Sequence, residues 1–218
     1  ALNFPERTVV TYDPRGLGRS ERSDGETEHR HEQQAEDLHA LVGALGSGPV
    51  EIFASSGGAV SALALVAAHP QDVLTLVAHE PPLVTLLPDA EHALAASELV
   101  TRTYQERGWG AGMAMFTAQT SWHGEFTPEF GDPPPDPAAF GLPTEDDGSR
   151  DDPLLSGASA AVVAFQPDLD ALKAASTRLV IAAGVESHGL LTLRTTRALA
   201  EALEIPPTEF PSHHGGFL

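Results

Sequence analysis

A serine flanked by small residues is the first feature of the sequence that could do chemistry. Ser56 lies in Ala54-Ser55-Ser56-Gly57-Gly58, between a strand-like and a helix-like apolar stretch. A sharp strand-to-helix turn with small residues two positions either side lifts the serine hydroxyl above a sheet, and the backbone N–H of Gly57 then points at a developing oxyanion. The alternative is a glycine-rich turn that binds phosphate or only reverses the chain. No phosphate-loop lysine follows it, and no Gly-x-Gly-x-x-Gly pattern is present.

A histidine late in the sequence can supply the base that a serine nucleophile needs. His214 follows the last predicted strand, which agrees with the chain order serine, acid, histidine. Gly215 and Gly216 leave space around the imidazole at the carboxyl edge of the sheet, where ligands of α/β proteins bind. The neighbouring His213 is the fallback base. Adjacent side chains of an extended chain point apart, so the two histidines are poor joint metal ligands.

Three stretches of the sequence, taken in order, resemble the α/β-hydrolase family. They are the loop Tyr12-Asp13-Pro14-Arg15-Gly16-Leu17-Gly18-Arg19-Ser20, the serine turn, and the segment from Phe210 to Phe217. The resemblance covers nearly the whole chain and implies an α/β fold with a mostly parallel sheet flanked by helices. In that family the first loop is mostly architectural. Asp13, Arg15 and Ser20 are therefore expected to fix the loop and not to react.

The carboxylate that would orient the histidine has two candidates. The resemblance places it after the strand at 178–183, but that position holds Ser187, and Glu186 stands one residue earlier. Some relatives, including haloalkane dehalogenases, carry a glutamate at the end of the strand after the serine helix, and Glu80 matches that location. We prefer Glu80 and keep Glu186 as the alternative acid. The role requires a buried carboxylate near Nδ1 of the imidazole, not a fixed sequence position.

The resemblance also leads us to expect segments that the sequence does not contain. Family members have an earlier strand, whose following loop gives a second oxyanion N–H, and a helix after the histidine loop. Here only seven residues precede the strand predicted to begin at Thr8, and the sequence ends at Leu218. We therefore expect an interior piece of a longer protein. A molecule without the second donor would lose roughly two to three powers of ten in rate.

Alternating strands and helices position these residues. Apolar runs bounded by turn residues predict strands over 8–13, 50–54, 73–78, 178–183 and 208–210. Apolar residues at three- and four-residue steps predict helices over 31–45, 59–68 and 190–203, the first capped by Gly46. Strands that are apolar on both faces indicate a parallel sheet covered on both sides.

The alternation of predicted strands and helices is interrupted in the middle of the chain. Residues 83–165 are predicted to form a helical lid between two parts of the core, 1–82 and 166–218. Helical stretches over 89–105 and 110–119 precede an acidic, proline-rich segment at 126–153. Large apolar residues of this region could line an acyl pocket or simply pack the lid: Trp109, Met113, Met115, Phe116 and Trp122.

Composition excludes several classes of function. The 218 residues suffice for one globular unit, and 41% hydrophobic residues argue against a disordered chain. No apolar run approaches the roughly 18 residues of a membrane span. The net charge of -19, with Lys173 as the only lysine, repels phosphate backbones and anionic lipids. Neither nucleic acid nor a membrane is therefore expected as a partner.

Residue types and patterns that the sequence lacks set the expectations about cofactors and cellular compartment. Without cysteine there is no thiol chemistry and no thiolate metal site. His29 and His31 have no third ligand at a recognisable spacing, so no metal is predicted, and no other cofactor either. The first residues show no signal-peptide pattern, which makes the cytoplasm the default expectation. The oligomeric state stays open.

Together these residues predict a cofactor-independent serine hydrolase. Ser56 would attack an ester-like carbonyl of a small molecule, which could be a carboxylic ester, a lactone or a thioester. His214 would transfer the proton, Glu80 would hold the imidazole, and water would release the acyl group. The alternative is a catalytically weak small-molecule-binding protein of the same fold. The missing segments and the missing usual acid keep that alternative open.

Overall fold

A parallel four-stranded sheet organises the residues that the structure, a computed structural model, describes: 4–23 and 29–216. The strands follow one another in space as β1 (Val50–Ser55), β2 (Val73–His79), β3 (Arg178–Gly184) and β4 (Thr208–Phe210). The α-helices are α1 (His31–Leu45), α2 (Gly57–Ala68), α3 (Ala90–Thr120), α4 (Ser159–Ala164), α5 (Leu169–Ala174) and α6 (Leu191–Leu203). Single turns of 3₁₀-helix cover Pro70–Asp72, Val84–Leu86 and Pro137–Phe140, and a π-turn covers Leu154–Ala158.

The main core lies between the sheet and α2. Every residue of α2 from 59 to 66 is buried, because the sheet covers one side of the helix and α1 covers another. In α1 the buried apolar residues recur every three or four positions, at Ala35, Leu38 and Val42. Leu76 and Ile181 of the sheet are fully buried in the same cluster. Packing of an all-round apolar α2 thus fixes the turn that precedes it.

Most of the predicted elements are confirmed. The helix predicted over 31–45 has those limits, and Gly46 caps it with a φ of 63°. The strands predicted from 50, 73, 178 and 208 and the helices predicted over 59–68 and 190–203 are present, with ends within two residues of the prediction. The mostly parallel sheet with flanking helices is therefore confirmed.

The strand predicted over 8–13 is wrong. This segment pairs with no strand among the described residues, and Val9, Val10 and Tyr12 are each more than 40% exposed. A β-branched run favours extended backbone, but a strand also needs a neighbouring edge with which to exchange hydrogen bonds. The loop after it is instead tied to α1, where Arg15 Nε donates to Asp37 Oδ2 over 2.7 Å.

The region between β2 and β3 builds a second core. The helices predicted over 89–105 and 110–119 form one long α3, bent at Gly108, whose φ of 84° and ψ of -177° are not helical. Met115 is buried there, and the other large apolar residues singled out in the sequence pack around the same cluster: Trp109, Met113, Phe116 and Trp122. The limits of the region at 83 and 165, and its action as a lid, stay predictions.

A buried ion pair fixes this region to the main core. The carboxylate of Asp89, at the start of α3, accepts hydrogen bonds from Arg194 of α6 and from the backbone N–H of Phe126, the latter over 2.7 Å. Both side chains of the pair are largely shielded from solvent. Among the described residues, no helix combines the length and apolar character that a bilayer crossing requires.

Candidate active site

The turn between β1 and α2 holds Ser56 in a strained backbone conformation. Its φ of 55° and ψ of -131° are sparsely populated by residues with a side chain, at a cost of about 1–3 kcal/mol. The N–H of Ser56 donates to the carbonyl of His79 over 2.9 Å, and its carbonyl accepts from Ala59 over 3.0 Å. A Cβ added at Gly57 would lie 3.0 Å from Cγ2 of Val162, so helix α4 reaches this turn.

The carboxylate of Glu80 lies beside this turn. Ser55 is the register partner of His79 in the parallel ladder of β1 and β2, so the residues that follow them, Ser56 and Glu80, leave the sheet side by side. Glu80 is fully buried and also has a positive φ, 48°. Its N–H donates to the carbonyl of Ala182 on β3 over 2.9 Å. Two neighbouring strands are thus each followed by a strained residue with a polar side chain.

Donors surround the Glu80 carboxylate. Oε1 accepts from the backbone N–H of Gly184 and Oε2 from the hydroxyl of Thr192 on α6, each over 2.9 Å. Nδ1 of His214 lies 2.6 Å from Oε2. Because an ionised carboxylate only accepts hydrogen bonds, Nδ1 carries the proton and Nε2 is left as the basic nitrogen of the ring.

The electrostatics keep Glu80 ionised. Burial alone would raise its pKa, but the hydrogen bonds from His214, Gly184 and Thr192, together with the dipole of the nearby Ser187 hydroxyl, outweigh burial and hold the pKa at about 2. The Ser187 hydroxyl is itself buried and does not reach hydrogen-bond geometry with any described residue, so it acts on the carboxylate by proximity. A buried negative charge therefore faces Nδ1 of His214 at neutral pH.

The loop after β4 delivers His214. Ser212 has a φ of 70°, and a Cβ added at Gly184 would lie 2.6 Å from the carbonyl oxygen of Ser212. Only a glycine at the end of β3 allows this loop to pass so close. The His214 side chain is 38% exposed while Glu80 is fully buried, so one side of the ring is anchored and the other is open to a ligand.

Comparison with known proteins identifies the family. The sequence model of the alpha/beta hydrolase fold matches residues 1–111. The chain belongs to the α/β-hydrolase family. The predicted fold and the predicted enzyme class, a hydrolase of this family, are confirmed at this level.

Individual relatives agree with this assignment. The chain is 28% identical over 228 residues to YraK, an uncharacterized hydrolase of Bacillus subtilis (strain 168). The match covers 96% of this chain and 73% of YraK. Rv0554 from Mycobacterium tuberculosis superposes with a TM-score of 0.64 at 19% identity, over 95% of this chain and 72% of that one. A thermophilic esterase from Thermogutta terrifontis gives 0.59 at 20% identity, over 93% and 71%. At these identities the two structures show the fold alone.

The structure brings some predicted site residues of this α/β-hydrolase together and leaves others apart. Glu80 contacts His214, whereas the alternative acid Glu186 is exposed. The fallback base His213 is exposed too, and its Nδ1 accepts from the N–H of Gly215 over 3.1 Å. Among the described residues the Ser56 hydroxyl makes no hydrogen bond, to His214 or otherwise. Phe217 of the predicted histidine segment lies outside the described residues.

Sequence reasoning missed two polar residues of this edge. His79 is buried, its Nδ1 lies 3.0 Å from Oγ of Ser55, and its ring centroid lies 6.1 Å from that of His214. Burial and the neighbouring His214 lower the pKa of His79, although Glu80 opposes them. A histidine at the end of an apolar strand was the available signal. Thr192 gave no signal, because its contact with Glu80 joins residues far apart in the chain.

A cation could find ligands here. The ligand atoms of His79, Glu80 and His214 lie within 4.8 Å of one another. The oxygens of Glu80, however, already accept from a backbone N–H, a hydroxyl and the His214 imidazole. A metal on His214 would also remove the ring from proton transfer. The donors around the carboxylate instead suit an orienting role.

Proposed function

We propose that this α/β-hydrolase cleaves ester-like small molecules through an acyl-enzyme on Ser56. The observation that carries the proposal is the 2.6 Å contact between Nδ1 of His214 and the fully buried Glu80 carboxylate, at the sheet edge where Ser56 follows β1. A histidine held in this way by an ionised acid is poised to accept a proton on Nε2.

Each group has a distinct part in the reaction. Oγ of Ser56 attacks the carbonyl carbon and loses its proton to Nε2 of His214, while the carbonyl oxygen becomes an oxyanion that the N–H of Gly57 stabilises. When the intermediate collapses, the bond to the leaving group breaks and His214 returns the proton to it. Water then attacks the acyl-enzyme with His214 again as base, which restores the Ser56 hydroxyl and releases the acid.

The burial of Glu80 supports this mechanism. A carboxylate whose pKa is about 2 keeps its charge throughout the neutral range, so it can stabilise the imidazolium that forms when His214 takes the proton. In a site shielded from water this attraction is stronger than at the surface. The donors on both oxygens also prevent the carboxylate from turning away from the ring.

The surroundings of Ser56 support the proposed substrate class. Carboxylic esters, lactones and thioesters share the acyl carbon that a serine hydroxyl attacks. Helix α4 brings the apolar side chain of Val162 close to Gly57, next to the proposed nucleophile. A small molecule with an apolar acyl group could pack against this side chain. A relative in fold, from Thermogutta terrifontis, is described as an esterase.

Intact mass after treatment with a fluorophosphonate probe tests the proposal. We expect a single adduct on the wild-type chain and on the matched control Ser55→Ala, and none on Ser56→Ala. The control removes the adjacent hydroxyl, which is paired with His79.

No adduct on a folded wild-type chain, or an adduct that survives Ser56→Ala, would overturn the proposal. The missing hydrogen bond between Ser56 and His214 would then be the natural state of the site, and a binding protein would be the better description. Hydrogen bonds of this kind are commonly long in free enzymes and tighten with substrate, which is why we rank hydrolysis first.

A further inference from the structure

A second group of histidines and carboxylates lies at the other end of α2. His39 belongs to α1, while His69 and Asp72 follow the last residue of α2, and one ligand atom of each lies within 4.8 Å of the other two. Ser56 precedes the first residue of α2, so the twelve-residue helix puts about 18 Å between this group and the proposed nucleophile.

We propose that His39, His69 and Asp72, with Glu36 as a fourth ligand, bind a divalent transition metal ion such as Zn²⁺. Two imidazole nitrogens and carboxylate oxygens are a donor set that zinc accepts in tetrahedral sites. The proposal concerns a different place from the sheet edge and does not depend on the activity proposed there.

The spacing of Glu36, His39, His69 and Asp72 along the chain brings the four side chains into two contacting pairs. Glu36 and His39 are three residues apart on α1, so they lie on one face of that helix. His69 and Asp72 are likewise three apart, at the two ends of the turn that leads into β2. The contacts cross between the two segments, because Nδ1 of His39 lies 2.5 Å from Oδ2 of Asp72 and Nε2 of His69 lies 2.8 Å from Oε1 of Glu36.

Rotation of one imidazole ring and an approach of the carboxylates are needed to turn these hydrogen bonds into metal bonds. Ligand atoms in a tetrahedral zinc site are about 3.4 Å apart, given bonds of about 2.1 Å, and the three here already lie within 4.8 Å. The imidazole rings are stacked 3.9 Å apart and nearly parallel, at 8°. A metal must lie in the plane of each ring, so one ring has to rotate. The His39 side chain is 43% exposed and has room to do so.

Charge favours a divalent cation here. Two neutral imidazoles and two carboxylates carry a charge of two minus units, which a divalent ion balances. On binding, the ion takes the histidine nitrogens that now contact the carboxylates, so each neutral imidazole carries its proton on its other ring nitrogen and the charge of the site stays at two minus units before the ion is counted. The chain as a whole, with a net charge of -19, attracts cations. The expected consequence is a clamp that joins α1 to the turn after α2.

Calorimetric titration of the chelator-treated, untagged chain with Zn²⁺ tests the site. We expect a binding event that His39→Gln and Asp72→Asn each weaken by at least about tenfold. His92→Gln, which removes a solvent-exposed histidine of α3, is the matched control and should bind like the wild type. Zn²⁺ should also raise the melting temperature of the wild type and of His92→Gln, but not that of His39→Gln.

Three outcomes would overturn the proposal. They are no binding of Zn²⁺ to the wild type, binding that His39→Gln and Asp72→Asn leave intact, and binding that disappears in His214→Gln. The last would place the ion at the other histidine–carboxylate group, at the sheet edge. Because His39 and Asp72 are partly exposed, their variants are expected to fold, and far-ultraviolet circular dichroism would verify this before titration.

Discussion

Two histidine–carboxylate pairs of almost the same length stand at opposite ends of α2. In one, Nδ1 of His214 lies 2.6 Å from Glu80; in the other, Nδ1 of His39 lies 2.5 Å from Asp72. The pairs differ in what surrounds the carboxylate. Glu80 is fully buried and also accepts hydrogen bonds from Gly184 and Thr192. The Asp72 side chain, in contrast, is 13% exposed.

The difference shows that a short contact does not by itself make an orienting pair. A carboxylate that is only partly buried can turn towards water, take up another cation or exchange partners. A buried one that is fixed by donors on both oxygens cannot, so its histidine stays in one orientation and one tautomer. Burial and the remaining donors therefore distinguish a pair that orients a base from a pair that joins two segments.

The largest expected effect comes from removing the two histidines in turn. His214→Gln should lower kcat/KM for an activated ester by roughly 10⁴- to 10⁶-fold, because no base remains to accept the serine proton. His39→Gln should change it far less. Steady-state kinetics with a chromogenic ester measures both. Equal losses in the two variants would remove the functional distinction between the pairs.

The next effect comes from neutralising the two carboxylates. Glu80→Gln should lower kcat by about 10⁴-fold, since an amide no longer stabilises the imidazolium or fixes its tautomer. It should also reduce the free energy of unfolding by about 3–5 kcal/mol, because its buried donors lose their charged partner. Asp72→Asn is the matched change at the partly exposed pair. If denaturant unfolding shows the larger loss for Asp72→Asn, burial is not what separates the pairs.

Acid should weaken the buried pair within a defined window. The pKa of Glu80 is about 2 in the folded chain and near 4.5 when the carboxyl is unperturbed. Its contribution to the free energy of unfolding is therefore complete above about pH 4.5 and is lost as the pH falls towards 2. The stability difference between wild type and Glu80→Gln should shrink over this range in denaturant titrations. A difference that stays constant from pH 5 to 2 would contradict the assignment.

The smallest effect is expected at the partly exposed pair of His39 and Asp72, whose stability changes with pH in the opposite direction to that of the Glu80 pair. The hydrogen bond to Asp72 raises the pKa of His39 above its ordinary value of 6.5. A raised histidine pKa contributes stability that is complete below pH 6.5 and is lost as the pH rises through the folded value. Measured without metal, the stability difference between wild type and His39→Gln should therefore decrease from pH 6 to 9. An increase over that range would show that the pair acts in another way.

The parts of the site that were predictable are those set by local sequence. Short windows of the sequence show the small residues around Ser56, a strand that stops just before Glu80 and a histidine after the last strand. Parallel strands end at the same sheet edge, so their meeting there could also be expected. The choice of Glu80 over Glu186 was only a preference, and the structure brings Glu80 to His214.

The parts that were not predictable depend on contacts between distant residues. Thr192 reaches Glu80 across 112 positions, and His39 reaches Asp72 across 33. No periodicity in the sequence reports such a contact. The failed strand at 8–13 has the same cause, because pairing is a property of two segments and the β-branched run describes only one. The bend of α3 at Gly108 was visible only as a gap between two predicted helices.

The positive φ of Ser56 lowers the stability of the fold at the position of the proposed nucleophile. A glycine at position 56 would adopt the same turn without its steric cost, so Ser56→Gly is expected to unfold at a higher temperature than the wild type while losing the hydroxyl. Directed evolution that scores heat resistance alone would thus tend to discard the proposed nucleophile. A library built on this chain should be screened for turnover in the same step.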